Sequence, residues 1–353
     1  MEASFNENPN CEFVVDYITN RKYWFVRTNG GEYYDEYLRK GFIAVGFNWI
    51  IDASLIKQAE KDNASKRALY EKIKAEAAED DGKQIKPGLV VNQIKRFLLE
   101  MNPGDIVLIP SENSQYIAFG EITSDTYIIN ESELQENCCP FIKRRRVKWG
   151  KKLSRDSLDP YLFKAIYSHH VITDVSDSSS FINRSLSGMY VSGDKAHITF
   201  RVSTQEAVRL SDIQPLLYGF EEVAIAAHFP ANIISEIEAT ELKINVQSPG
   251  PIEYIVTTVG LIGFLAITIA INMFRATSAA KKNGGTLSLK ILWLSYKCKI
   301  NKPNNSSHDI STEDLDKLIE KIANNPEALS KLDKMANAIN KLDAKLPNEK
   351  EDQ

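Results

Sequence analysis

Cysteine is scarce. The 353 residues hold four, at positions 11, 138, 139 and 298. They form no CxxC pair and no regular framework, which argues against a structural zinc site and a disulfide-stapled scaffold. No Walker-type glycine loop, no GxSxG and no HExxH occurs, so no catalytic residues, metal or cofactor are expected. An excess of one charge is also missing: Lys+Arg is 43, Asp+Glu is 47 and the net charge is -4. A chain that is basic throughout and binds nucleic acid by bulk charge is therefore not expected, although a local patch can do so. Residues 1–10 are polar, without a basic stretch leading into an apolar core, so no secretory signal is expected and the first half reads as cytoplasmic.

What is present is ordinary for a folded chain: 43% hydrophobic, 25% charged and 9% aromatic residues. The length predicts two to three domains. One segment stands apart. Residues 254–274 contain no charge and are bounded by Glu253 and Arg275. A helix needs about 20 residues to cross the hydrocarbon core, so the run is long enough to be a transmembrane helix. A buried core helix passes the same test. Thr258, Leu261, Leu265, Thr268 and Asn272 recur at helical spacing, which predicts a polar stripe of Thr258, Thr268 and Asn272 turned away from lipid. Gly263, Ala266 and Ala270 are small enough for close helix packing between protomers, which predicts a homo-oligomer. The cations after the segment favour a cytoplasmic C-terminal side.

Before that segment the pattern is mixed. Strands are expected at 22–29, 42–49, 106–109, 116–122, 144–150 and 196–202, and helices at 33–40, 55–79 and 88–101. This is an α+β set: a small, partly closed β-barrel with packed helices, spanning 1–204. A connector (205–252), the membrane helix (253–275) and a small C-terminal α/β appendage (276–353) follow. The appendage pairs strand-like residues 285–301 with two amphipathic helices, one starting near Ser311 and one running over 327–342.

The densest positive window is Lys143, Arg144, Arg145, Arg146, Lys148, Lys151, Lys152 and Arg155, with Trp149 interleaved. Cations attract phosphates and an aromatic ring offers a stacking face. A charged strand edge kept from aggregating has the same composition. Trp24, Tyr33, Tyr34, Phe47 and Trp49 crowd one stretch as either core or ligand cage, with Arg27 beside a glycine turn. The site expected from these features is Trp24, Arg27, Trp49, Arg144, Arg145, Arg146 and Trp149. His169 and His170 are adjacent and point apart, and Glu241-Leu242-Lys243 with Asp212 only loosely imitates a nuclease site.

Three pieces carry a resemblance: WFVRTNGGEYYDEYLRKGFIAVGFNW (24–49), NPGDIVLIPSENSQYIAFGEI (102–122) and RRRVKWGKKLSRDSLDPYLFKAIYSHHVITDVS (144–176). They resemble the PUA/EVE-like modules at the front of Mrr-type restriction proteins. That resemblance implies a barrel whose pocket reads a modified or flipped base; without a following nuclease or ATPase domain, DNA cleavage is not implied. The layout around the apolar run is similar to small membrane-linked effectors of bacterial antiphage defence. It implies a sensor-effector at the bacterial inner membrane with a cytoplasmic N-terminal domain. Its partners would be a nucleic acid or nucleotide second messenger, the membrane and a separately encoded defence protein. The alternative is a nucleic-acid-binding module that recruits a separate nuclease.

Overall fold

The fold was analysed in a computed structural model, which describes residues 12–18, 20–79, 85–136, 138–155, 158–163, 167, 170–244, 250–282, 297–301 and 311–347. In chain order the strands are β1 (Glu12–Ile18), β2 (Tyr23–Val26), β3 (Phe42–Val45), β4 (Ile106–Pro110), β5 (Tyr116–Ile122), β6 (Tyr127–Ile128), β7 (Lys143–Ser154), β8 (Ile172–Asp174), β9 (Met189–Ser192), β10 (Lys195–Val202), β11 (Glu241–Ile244), β12 (Gly250–Thr257), β13 (Lys297–Asn301) and β14 (Ala344–Lys345). The α-helices are α1 (Tyr34–Lys40), α2 (Ala53–Lys61), α3 (Asn63–Glu79), α4 (Pro87–Lys95), α5 (Ser179–Leu186), α6 (Leu210–Ala226), α7 (Ala231–Glu238), α8 (Thr258–Lys282), α9 (Thr312–Ala323) and α10 (Pro326–Lys341).

The architecture is α+β, as the sequence predicts, but the chain divides differently. One compact unit is Asn20–Leu186; the other joins Met1–Thr19 to Ser187–Gln353. The first is thus an insertion between β1 and β9 of a host unit, where these two strands pair in parallel. The expected boundaries at 204, 252 and 275 all fall inside the host unit. Its sheet runs β11-β12-β10-β9-β1-β13, with β14 also on β10. Parallel strands need a long crossover between them; between β1 and β9 the whole inserted unit supplies it.

In the inserted unit the sheet order is β3-β7-β5-β4-β2-β8, with β6 also on β7. β7 is long enough to pair with β3 and β6 through its first half and with β5 through its second. A register shift between Ala118 and Gly120 bends it, because an unpaired extra residue adds local twist. The sheet therefore curls into a half-barrel. One face packs Trp24, Phe97, Val107 and Ile109; the other packs Phe25, Leu108, Phe119 and Leu153. α2, α3 and α4 close a smaller core of Ile50, Ile56, Ile73 and Ile94.

The apolar run forms α8. Thr258–Ser278 is long and apolar enough to cross a membrane, and more than half of it is buried inside the protein. It packs against α7, α9 and α10, with further contacts to α6, β10 and β12. Phe200, Ile252 and Tyr254 on the sheet and Leu318, Leu332 and Met335 on α9 and α10 share one core with Leu265, Ile269 and Ile271 of α8. The expected small-residue interface is used within the chain. A Cβ on Gly263 would lie 2.7 Å from Ile233 Cγ2 and 2.9 Å from Ile237 Cδ1, while Ala266 and Ala270 are core residues. Of the expected stripe, Thr268 is fully buried, and Thr258 and Asn272 are half-buried. Ser311 caps α9 through its side chain at the helix start expected there, and Asn325 caps α10 in the same way. The strand expected over 285–301 is described only from Lys297 to Asn301; residues 285–296 lie outside the described residues.

Candidate ligand-binding cleft

The expected strand over 42–49 stops at Val45, and the chain turns through Gly46, Phe47, Asn48 and Trp49 before α2. Phe47 has φ 56°, in the left-handed region that bulky side chains rarely occupy. The surroundings hold it there. Its carbonyl accepts from Ile50 N–H at 3.0 Å and from the Lys143 ammonium. Asn48 clamps the turn to the facing loop, donating to Pro140 O at 3.0 Å and accepting from Ile142 N–H at 3.2 Å. A Cβ on Gly46 would press on the Phe141 ring at 3.1 Å, so glycine there permits the close approach.

This turn forms one wall of a cleft of about 1280 Å³, whose lining includes Arg27, Phe47, Trp49, Gln93, Phe141 and His170. Three aromatic rings thus share the lining with an arginine, a histidine and a carboxamide. The Gln93 side-chain oxygen Oε1 accepts from Ile172 N–H, and the backbone N–H of Arg27, just after β2, donates to Val171 O at 2.8 Å; together they tie α4, the end of β2 and the 170–172 segment around the cavity. Burial lowers the pKa of Arg27, yet a guanidinium stays charged at any physiological pH. The Trp49 indole N–H is buried without a hydrogen-bond partner, and Lys72 Nζ sits 4.1 Å from the Trp49 ring centroid. Ile51, Leu89 and Val171, at 50%, 43% and 42% exposure, also line the cleft. Exposed apolar side chains gathered around one concave surface are a common feature of binding sites.

Of the expected site residues, only Arg27 and Trp49 line this cleft. Trp24 is fully buried and donates its indole N–H to Asp105 at 2.9 Å. Trp149 donates to Tyr37 O at 2.7 Å. Arg145 is 2% exposed and donates to Phe97 O at 2.8 Å and Ser124 O at 3.1 Å. Phe97 lies in a π-turn (Arg96–Glu100), where the wider winding leaves its carbonyl open to the guanidinium. Arg144 stacks 4.1 Å from the Phe42 ring centroid and donates to Phe141 O and Cys139 O. Only Arg146 of the three arginines is exposed; its guanidinium lies 5.3 Å from the Tyr127 ring centroid. The first three cations of the basic window, Lys143, Arg144 and Arg145, are therefore structural, each held by backbone carbonyls.

Phe141, Gln93, Leu89 and His170 were not expected at the site, because each reaches the cleft from a distant part of the sequence. The loose nuclease-like set is not assembled: Asp212 pairs with Lys341 at 2.6 Å and Glu241 pairs with Lys195 at 2.5 Å. His169 lies outside the described residues.

Comparison with known proteins gives one family match. A family model described as a domain of unknown function (DUF8426) matches residues 22–172, which fall within the inserted unit and contain every described residue of the cleft. No curated protein matches the chain.

Proposed function

We propose that the inserted unit is a recognition module that takes a planar, nucleobase-type ligand into the cleft, as the resemblance to PUA/EVE-like modules implies. The observation that carries this reading is the turn 46–49. It holds Phe47 in a strained conformation and leaves the Trp49 indole N–H buried and unpaired, in a cleft that Phe141 and Arg27 also line. Strain and an unused buried donor are kept where a ligand recovers the cost. Rings give stacking faces, and Arg27 and the indole N–H offer donors to the carbonyl edge of a base. The burial of α8 within the host core favours this recognition role over membrane perturbation as the activity of the chain. In the restriction-type setting, the host unit would pass the recognition event to a separately encoded partner.

Isothermal titration of the full chain with free nucleosides, including cytidine, 5-methylcytidine and adenosine, tests the cleft. At least one nucleoside binds, and Trp49→Ala weakens it by tenfold or more. Equal binding by the parent and the Trp49 variant, or binding of none of the nucleosides, rejects the reading.

A further inference from the structure

A second set of side chains in the inserted unit brings aromatic rings and cations together with one unpaired hydroxyl. Tyr34 on α1 is 4% exposed, yet its hydroxyl has no hydrogen-bond partner. A buried unpaired hydroxyl is costly and calls for an explanation. Lys152 Nζ stands 5.9 Å from the Tyr34 ring centroid and 4.1 Å from that of Tyr116. Tyr116 is 42% exposed. Burial first, then Asp35 and Tyr116, push the pKa of Tyr34 up to about 12, so its hydroxyl keeps its proton and remains a donor.

The line continues along the same edge. Arg155 N–H donates to Gln115 O at 2.8 Å, next to Tyr116. Its guanidinium donates to the hydroxyl of Tyr167, which is 60% exposed. Among the described residues neither Lys152 nor Arg155 pairs with a carboxylate. Two turns connect this edge to the cleft. Asn29, in the turn Asn29–Gly31, lines the cleft. That turn packs on Glu112–Ser114 so closely that a Cβ on Gly31, with φ 109°, would fall 2.4 Å from the Glu112 backbone. Tyr34 follows the first turn by three residues, and Tyr116 follows the second by two.

The geometry points to a phosphate-binding subsite made by Tyr34, Tyr116 and Lys152 and continued by Arg155 and Tyr167, which holds the backbone of a single-stranded nucleic acid. A phosphate oxygen accepts from a hydroxyl and an ammonium together, whereas an amine ligand would be repelled by Lys152. Exposed tyrosine rings interleaved with cations suit a flexible strand, whose bases stack on any π face without sequence preference. The inference deepens the cleft reading by supplying the chain that carries the base, and the two are separable by experiment.

The test is fluorescence anisotropy of the full chain with a fluorescein-labelled 12-nucleotide single-stranded DNA of mixed sequence, over a series of salt concentrations. Lys152→Gln combined with Tyr34→Phe weakens binding by tenfold or more. It also lowers the slope of log affinity against log salt by about 0.7, the share of one phosphate contact on a single strand. Circular dichroism and melting of the double variant establish that it folds. Trp49→Ala leaves the salt slope intact; a parent that binds no nucleoside yet binds the oligonucleotide with a retained Lys152 dependence rejects the cleft alone. Three results overturn the subsite: no binding of the oligonucleotide by the parent, equal binding by the double variant, or equal binding of the corresponding duplex.

Discussion

Thr268→Val replaces a hydroxyl by a methyl group at the centre of α8 and is expected to make the protein more stable. Thr268 is fully buried and its Oγ1 has no hydrogen-bond partner. Leu265, Ile267, Ile269 and Ile271 around it in the helix are fully buried too. Unfolding returns the hydroxyl to water, so the native state carries an unpaired-donor penalty of roughly 1–3 kcal/mol. Valine has nearly the same shape and the same β-branching, so helix propensity and packing change little. The substitution removes the penalty, and the added apolar surface contributes up to about 0.8 kcal/mol. A net gain of about 1–2 kcal/mol follows once partial relaxation of the site is allowed for, raising the melting temperature by about 2–4 °C per kcal/mol for a unit of this size. Urea unfolding and calorimetry measure it. A variant that is less stable than the parent by 1 kcal/mol or more refutes the reasoning, because the hydroxyl would then be hydrogen-bonded in the folded protein.

Further expectations follow from the same packing. Gly263→Ile forces a side chain into Ile233 and Ile237 of α7 and lowers stability by about 1–3 kcal/mol or more, read by urea midpoint. Lys143 is fully buried and its pKa is pushed down to about 8 by burial, from the ordinary 10.5. Between those pH values the unfolded chain binds the proton that the folded chain has lost. Stability therefore rises with pH across that window, by at most roughly 3 kcal/mol, and the contribution is absent below pH 8. Lys143→Met removes that slope; identical pH profiles for parent and variant would show that the ammonium is not desolvated. In Triton X-114 phase separation the full chain is expected in the aqueous phase, since α9, α10 and the sheet already cover most of α8. Recovery in the detergent phase would reverse that expectation.

Local chemistry was legible in the sequence. The helix start at Ser311, the apolar faces of α9 and α10, and the strands around 106–109, 116–122 and 196–202 all follow from patterns within a few residues, because caps and period-2 or helical alternation are local rules. Strand β1, an apolar run broken by Asp16, carries no local mark of its pairing, because its partners β9 and β13 lie far along the chain. Tertiary structure decided the rest. Hydropathy measures how apolar a helix is on all sides, not what covers it, and a helix apolar all round suits a membrane or the middle of a core equally. Only the packing of α7, α9 and α10 onto α8 shows how much of that helix the protein itself covers. Charge density likewise does not report direction. Lys143 and Arg145 share a pleat phase that points inward to backbone carbonyls, while Arg146 faces solvent and Lys152, beyond the bulge, lies against Tyr116. The cleft gathers Arg27, Trp49, Gln93, Phe141 and His170 from five separate stretches, a convergence that no spacing in the chain encodes.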